Sequence, residues 1–444
     1  MIRSLLIANR GEIAVRIIRT CREMGIKTVA VYSTADSESL HVKMADDSVC
    51  IGPASSSDSY LQIGNIITAA CMKRCDAIHP GVGFLSENAN FAREVEKAGL
   101  VFIGPDADTI DLLGNKVVAR TTAEAAGLPL TPGGMGRLEH IDHALRIAEE
   151  IGYPVILKAA SGGGGRGMRI VRSPKDLPNA FAIAGREAQA FFSDDSLHLE
   201  KYLVSPRHVE MQMLSDGQGN VVHLGERDCS VQKNHQKLIE ESPSTAVPQQ
   251  LRDHMSADSV RLFTKLGYRG AGTIEFLVHD GQYYFMEVNA RVQVEHPVSE
   301  LVSMTDIIRQ QILIASGKGL SFSQKDVRLT GHALECRVNA CTPGKVTWFE
   351  PPLGPWVRVD THMHMGAEVS PHYDPLVAKI IVHTPDRQTS INAMLRALRE
   401  CRIEGIKTNI KEQMTILDSS QFRSGRFGTD LYGKLGLEDK KGKS

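Results

Sequence analysis

Two carboxylates, an amide, a guanidinium and a further carboxylate recur at short spacing between Glu275 and Glu295. Apolar runs over 273–278 and 283–288 flank a turn carrying Asp280-Gly281, a β-hairpin signature. Glu275 lies on one strand and Glu287 on the other. A three-residue loop over 280–282 makes them cross-strand partners on one face, whereas a two-residue loop puts them on opposite faces. Opposed carboxylates repel, so a strand built for stability alone would avoid that pairing. A divalent cation removes the conflict, and magnesium is commonly held by one or two carboxylates plus substrate phosphates. Beyond Glu287 the polar residues Asn289, Arg291, Gln293 and Glu295 alternate with Val288, Ala290, Val292 and Val294. While the chain stays extended, that alternation lines one face with acids, an amide and a guanidinium. A half-exposed edge strand alternates too; the opposed acids favour the metal reading.

Phosphate chemistry is indicated upstream. The run Ser161-Gly-Gly-Gly-Gly-Arg-Gly167, with Gly163 and Gly164 at its centre, leaves backbone N–H groups unshielded and suits a flap over phosphates. No Gly-Lys-Ser/Thr follows, so it is not a Walker A loop. A floppy hairpin is the competing reading, but Lys158 at the preceding strand end could reach the phosphates. Glu200-Lys201-Tyr202-Leu203 ends a strand before Ser205-Pro206, a hinge whose backbone could read an adenine edge. The polar run over 227–237, which includes Gln232, His235 and Lys237, shows no helical or strand period and reads as a solvated loop. His208 opens a strand and reads as structural when taken alone. Arg337, in the alternating Glu335-Cys-Arg-Val-Asn339, reads alone as a salt-bridged surface arginine.

These groups need a scaffold, and the pattern supplies an α/β (α+β) one. A strand over 4–8, a turn at Asn9-Arg10-Gly11, a helix over 12–24 and a strand over 27–32 make a βαβ opening. The turn lacks Gly-x-Gly-x-x-Gly, which argues against a nicotinamide cofactor. This first unit spans 1–103, and 104–130 is a helical connector carrying Lys116. A compact module over 131–203 contains the glycine loop, and 204–444 is rich in strands before a mostly helical end. Net charge is −1, which gives no footprint for nucleic acid or an anionic membrane. No apolar run approaches membrane-spanning length, and the chain enters a strand at once with no signal peptide. Eight cysteines without a second close pair beside Cys71 and Cys75 point to reduced thiols rather than zinc, in a cytoplasmic protein.

Taken together, Ile7-Ala-Asn-Arg-Gly-Glu-Ile-Ala-Val-Arg16, His79-Pro-Gly-Val-Gly-Phe-Leu-Ser-Glu-Asn88, the glycine run, Glu200-Lys-Tyr-Leu203, Arg227-Asp-Cys-Ser-Val-Gln232, His235-Gln-Lys237 and Arg291-Val-Gln-Val-Glu-His-Pro297 closely resemble the biotin carboxylase family. The resemblance covers essentially the whole chain. It implies an ATP-grasp fold with an N-terminal Rossmann-like domain, a mobile glycine-rich lid and a C-terminal domain. By the same resemblance, Lys116, Lys158, Gly163, Gly164, Glu200, Lys201, Leu203, His208, Gln232 and His235 contact ATP. Glu275, Glu287 and Asn289 hold magnesium or manganese, and Lys237, Arg291, Gln293 and Val294 bind bicarbonate. Glu295 is the general base, and Arg337 with Val82 and Gly83 faces biotin. The implied reaction is that of a C–N-forming ligase. Bicarbonate is phosphorylated to carboxyphosphate, which yields the carbon dioxide that carboxylates biotin.

The resemblance also implies a homodimer, with Arg19 and Glu23 at family dimer positions or forming an intrahelical pair. Biotin is expected on a carboxyl carrier protein, since Val42-Lys-Met44 lacks a carrier pattern, with carboxyltransferase subunits downstream. Acetyl-CoA carboxylase of fatty acid biosynthesis is the commonest setting, with a pyruvate or other acyl carboxylase as alternatives. Two departures stand out. Val82 replaces the family's tyrosine, and the loop Cys341-Thr-Pro-Gly344 is shorter than usual. A different ATP-grasp ligase would share the flap and the glutamate pair but not Arg291, Glu295 and Arg337 together. A catalytically dead scaffold subunit would not need every ionisable position intact.

Overall fold

The computed structural model describes residues 2–133, 137–138, 140–159, 168–192 and 195–438. The chain opens as five parallel strands, β1 (Ser4–Ile7), β2 (Lys27–Ser33), β3 (Asp47–Gly52), β4 (Ala77–His79) and β5 (Val101–Phe102), in the order β3-β2-β1-β4-β5. Such a sheet is buried on both faces and reads as continuous apolar runs. Leu5, Leu6, Ile7, Val29, Val31 and Ile78 accordingly have essentially no exposed surface. Each such side chain contributes roughly 1.5–3 kcal/mol of burial. Strand order reverses between β1 and β4, and a crevice forms beyond the carboxyl ends of strands at such a switch point. The loops leaving β1 and β4 are tied there by Asn9, whose Nδ2 donates to Pro80 O (2.8 Å) and Val82 O (2.7 Å). Gly81 has φ +67°, and a Cβ there would meet Asn9 at 2.8 Å, so the close approach requires glycine.

After β5 the chain forms two helices. Helices Ala107–Gly114 and Lys116–Ala125 meet at Asn115, whose side chain accepts from Val117 N and Val118 N and caps the second helix. That cap sets Lys116 at the helix start and Arg120 one turn on.

A small antiparallel sheet, β7-β6-β8, comprises β6 (Val155–Ala159), β7 (Met168–Val171) and β8 (Leu197–Lys201). Helices Ile141–Ile151 and Leu177–Phe192 pack on it through Ala144, Ala148, Ala184 and Ala188 against Val155, Leu157 and Leu199. The glycine run, with Gly163 and Gly164, lies outside the described residues.

The largest layer is an antiparallel sheet of eight strands. It contains β9 (Arg207–Asp216), β10 (Val221–Lys233), β11 (Gln236–Ser242), β12 (Arg269–His279), β13 (Gln282–Asn289) and β14 (His332–Asn339). Its order is β13-β12-β9-β10-β11-β14, extended by strands Leu376–Thr384 and Val357–Thr361. On β9 the residues Val209, Met211 and Met213 enter the apolar core shared with the parallel sheet. The alternate residues His208, Glu210 and Gln212 point to the other face and are also buried. Period-two alternation therefore builds a core on one face and a polar interior on the other.

The structure decides two readings that the sequence left open and corrects a third. The loop of the β12–β13 hairpin has two residues, since His279 pairs with Gln282. Asp280 (φ +49°) and Gly281 (φ +74°) make the turn that matches strand twist. Glu275 and Glu287 nonetheless face each other, because the register shifts between the Glu275–Glu287 and Phe276–Phe285 pairs. Met286 is the extra residue of a β-bulge, which restores the face that the short loop would have reversed. Second, the run over 227–237 is not a solvated loop but parts of β10 and β11, and Arg227 has 0% exposure. Arg227, Asp228 and Ser230 break the apolar period because their partners are other buried polar groups, whereas Asn234, His235 and Gln236 at the β10–β11 turn are exposed. Third, regular strand ends at Asn289, and the chain to Glu295 is irregular before helix His296–Ser303. At the surface, Glu23 lies 3.7 Å from Arg309 rather than forming an intrahelical pair.

Candidate functional site

The parallel-sheet loops, the helix from Lys116, the small sheet and the polar face of the large sheet enclose a cavity of about 950 Å³. Its wall includes Lys116, Lys158, Glu200, His208, Gln232, His235, Lys237, Glu275, Glu287, Asn289, Arg291, Gln293, Val294, Glu295 and Arg337, together with Val82 and Gly83. Groups up to 255 positions apart (Val82 to Arg337) in sequence thus share one space. Lys201 and Leu203 do not line it. The Lys201 ammonium donates instead to Gly152 O (2.9 Å) and Tyr153 O (3.1 Å), and Leu203 is buried.

At the centre, Lys237 Nζ donates to Glu210 Oε2 (2.7 Å), Glu275 Oε1 (2.8 Å) and Glu295 Oε1 (2.8 Å). An ammonium has three donors, and here each meets a carboxylate. His208, Glu210 and Glu275 on one side, and Glu210, Cys229 and Glu295 on the other, come close enough to ligate an ion. Lys237 already occupies the cationic position between these acids. Burial disfavours its charge, but the three carboxylates outweigh that and hold it well above the ordinary lysine value.

Arg227 underlies this arrangement. Its guanidinium donates to Glu210 Oε1 (2.6 Å), Gln212 (2.7 Å), Ser299 (2.8 Å) and Gln293 Oε1 (2.9 Å). Gln293 Nε2 then reaches Glu275 Oε1 at 2.9 Å, as does Asn289 Nδ2. Glu295, at the N-cap position of helix His296–Ser303, is held by Lys237 on one oxygen and by Arg337 Nη2 (2.8 Å) on the other. Burial alone would lift its carboxyl, but Lys237, Arg337 and Arg227 keep it well below the usual carboxylate range. Arg337 also donates through Nε to Glu240 (2.6 Å), so it is a half-buried bridge rather than a surface arginine. Arg291 donates to Glu87 (2.8 Å) and to Asn289 Oδ1 (3.1 Å). Val294 O accepts from the fully buried Lys379 at 2.8 Å.

Glu275 and Glu287 differ sharply. Burial would raise Glu275, but Lys237 and the His208 ring outweigh it and leave it well below its ordinary value. Glu287 is lifted by burial and then by the charge of Glu275, with Lys116 at 3.8 Å a weak counterweight. Two opposed carboxylates, one of them lifted by the charge of the other, supply hard oxygen donors that fit a divalent cation such as magnesium. Towards the small sheet, Lys158 (2.7 Å) and Arg120 (3.0 Å) clasp Glu200. They hold that carboxyl below its usual range against the upward effect of burial.

Sequence reasoning missed Glu87, Arg120, Glu210, Glu240 and Lys379 as parts of this arrangement. The alternation of His208-Val-Glu-Met-Gln-Met213 carried the signal for Glu210. Glu87 and Arg120 carry none, because their partners lie 204 and 80 positions away.

An antiparallel sheet and a small glycine-linked sheet closing on a cleft lined with lysines and paired glutamates define a nucleotide-dependent ligase of the ATP-grasp class. Residues 1–110 match the model for the biotin carboxylase N-terminal domain, and 334–433 match the biotin carboxylase C-terminal domain. Residues 115–323 match the carbamoyl-phosphate synthase L chain ATP-binding domain. The biotin carboxylase of Allochromatium vinosum is 51% identical over 433 residues, covering 96% of each chain. The biotin carboxylase of Campylobacter jejuni, solved as a β-γ-ATP complex, superposes with a TM-score of 0.93 at 46% identity, over 98% of this chain and 99% of that one. The biotin carboxylase domain dimer of Hydrogenobacter thermophilus 2-oxoglutarate carboxylase, solved with MgADP, ADP and bicarbonate, gives a TM-score of 0.92 at 43% identity over 98% of both chains. This chain belongs to the biotin carboxylase family.

Proposed function

We propose that this chain carboxylates biotin with bicarbonate at the expense of ATP, releasing ADP and phosphate. The observation that carries the reading is Glu295, kept anionic between Lys237 and Arg337 in the cavity wall. ATP lies between the small sheet and the large one. Lys116, Lys158, His208, Gln232 and His235, together with the Glu200 to Leu203 segment and the glycine run at Gly163 and Gly164, bind it. Glu275, Glu287 and Asn289 hold magnesium or manganese, which when bound offsets charge on the phosphates.

Bicarbonate takes a place beside Lys237, Arg291, Gln293 and the Val294 backbone. Glu295 removes its proton while Arg291 and Lys237 hold the anion in line with the γ-phosphate. The carboxyphosphate formed breaks down to carbon dioxide and phosphate in a space shielded from water. Phosphate deprotonates biotin N1′, and Arg337 steadies the enolate that attacks carbon dioxide. Val82 and Gly83 face the biotin ring. The biotin is that of a carboxyl carrier protein, a carboxyltransferase uses the product, and the enzyme works in the cytoplasm as a homodimer. Acetyl-CoA, pyruvate or another acyl acceptor follows downstream. Among the described residues no helix is long and apolar enough to cross a membrane.

The test is ADP release by the purified chain with magnesium, with and without bicarbonate and free biotin. Release that needs bicarbonate and rises with biotin supports the reading. Release indifferent to bicarbonate refutes it.

A further inference from the structure

Behind Arg337, outside the cavity wall, two acids oppose each other across the sheet. Glu240 on β11 and Glu335 on β14 are direct antiparallel partners, and both have 0% exposure. Directly opposed side chains lie about 5 Å apart at Cβ. Glu240 Oε1 accepts from Arg337 Nε at 2.6 Å. Glu240 Oε2 and both Glu335 oxygens are buried with no hydrogen-bond partner. The charged groups facing the pair are Arg337 on β14, Lys237 on β11, Lys379 on strand Leu376–Thr384, and Glu295. The thiols of Cys229 and Cys336 also lie near.

Two buried carboxylates this close do not both ionise. One proton between them supplies a donor where there was none and satisfies two of the three orphan oxygens. The electrostatics agree. Burial lifts Glu335 well above the ordinary range despite Lys379, with Glu240 adding to the rise. Burial also pushes Glu240 up to about 7, with Arg337 pulling against it and Glu295 adding to it.

We propose that Glu240 and Glu335 share a single proton and act together as positioning residues for Arg337. The inference rests on the roles given above to Arg337 and Glu295. With the proton on Glu335, Glu240 remains an anion and grips Arg337 Nε, leaving Nη2 to hold Glu295 and the outer edge to face the acceptor. A second proton neutralises Glu240 and releases the guanidinium. The pair thereby couples acceptor-side geometry to pH without either acid touching substrate.

The test compares biotin-stimulated ADP release of the full chain from pH 6 to 9 in the parent, Glu335→Leu, Glu335→Gln and Glu240→Gln. In Glu335→Leu the donor to Glu240 is lost, so Glu240 takes up a proton more readily and the midpoint of the acid limb rises by about one pH unit, whereas the Glu335→Gln amide stands in for the protonated acid and leaves the midpoint in place. In Glu240→Gln the ratio of the rate with biotin to the rate without falls about tenfold, a readout that partial misfolding does not move. An unmoved midpoint in Glu335→Leu or an undiminished ratio in Glu240→Gln overturns the proposal. If Glu240→Gln fails to fold, the midpoint in Glu335→Leu decides alone. Absence of biotin stimulation in the parent overturns the underlying reading instead, and the two failures are told apart by that control.

Discussion

Replacing Arg227 with methionine removes a guanidinium that has no exposed surface, as has its partner Glu210. Methionine fills much of the volume, so the cost is chiefly electrostatic. Removing one partner of a buried ion pair costs about 3–5 kcal/mol, because the remaining charge is left uncompensated. Glu210 retains Lys237 on its other oxygen, which favours the lower part of that range. Gln212, Ser299 and Gln293 also lose their donor, at about 1 kcal/mol each, which offsets that relief. A net loss of about 3–5 kcal/mol follows, against less than about 0.5 kcal/mol for a residue of a solvated loop. Urea unfolding followed by circular dichroism measures it. Because Gln293 is freed as well, the KM for bicarbonate should rise alongside. A loss below about 1 kcal/mol with an unchanged bicarbonate KM would refute the argument that this residue organises the polar interior.

Asp36 gives a pH test. Burial would raise its carboxyl, but hydrogen bonds from Arg10 and Tyr60 outweigh that and hold it at about 2. Since the folded value lies below the unfolded one, the stabilisation of about 2 kcal/mol is present above pH ~5 and fades as pH falls toward 2. Asp36→Asn should therefore be less stable by about that amount at pH 7, with the gap closing as pH falls to 2.5; a gap constant with pH contradicts it. Val82→Tyr extends the wall beside Gly83 and should lower the KM for free biotin several-fold, measured by biotin-stimulated ADP release. An unchanged KM would place residue 82 away from the ring.

The parts of this protein that were legible in the sequence are those governed by short-range periodicity. The βαβ opening through β1 and β2 follows from apolar runs separated by an amphipathic helix, and the structure agrees to within about two residues. The opposition of Glu275 and Glu287 was legible as a chemical conflict, though its mechanism was not. No local signal announced that Met286 would bulge. Arg227 was misread for the opposite reason. Polar residues that satisfy one another in an interior carry the same composition as solvated ones, and only Glu210 and Gln212 on β9 and Gln293 from a distant segment reveal the difference. Lys201 shows the limit of motif reasoning. It lies at the end of β8, as the motif places it, but its ammonium is engaged by the carbonyls of Gly152 and Tyr153, ahead of β6, rather than by the cavity.

Glu295 is the base assigned to bicarbonate, and every later step depends on it. The most direct measurement is bicarbonate-dependent ADP release by Glu295→Gln beside the parent, with ATP affinity measured separately by calorimetry. Turnover should fall at least ~100-fold, in line with loss of a general base, while the ATP Kd stays within about threefold of the parent. Turnover equal to that of the parent, with bicarbonate dependence intact, would contradict that assignment.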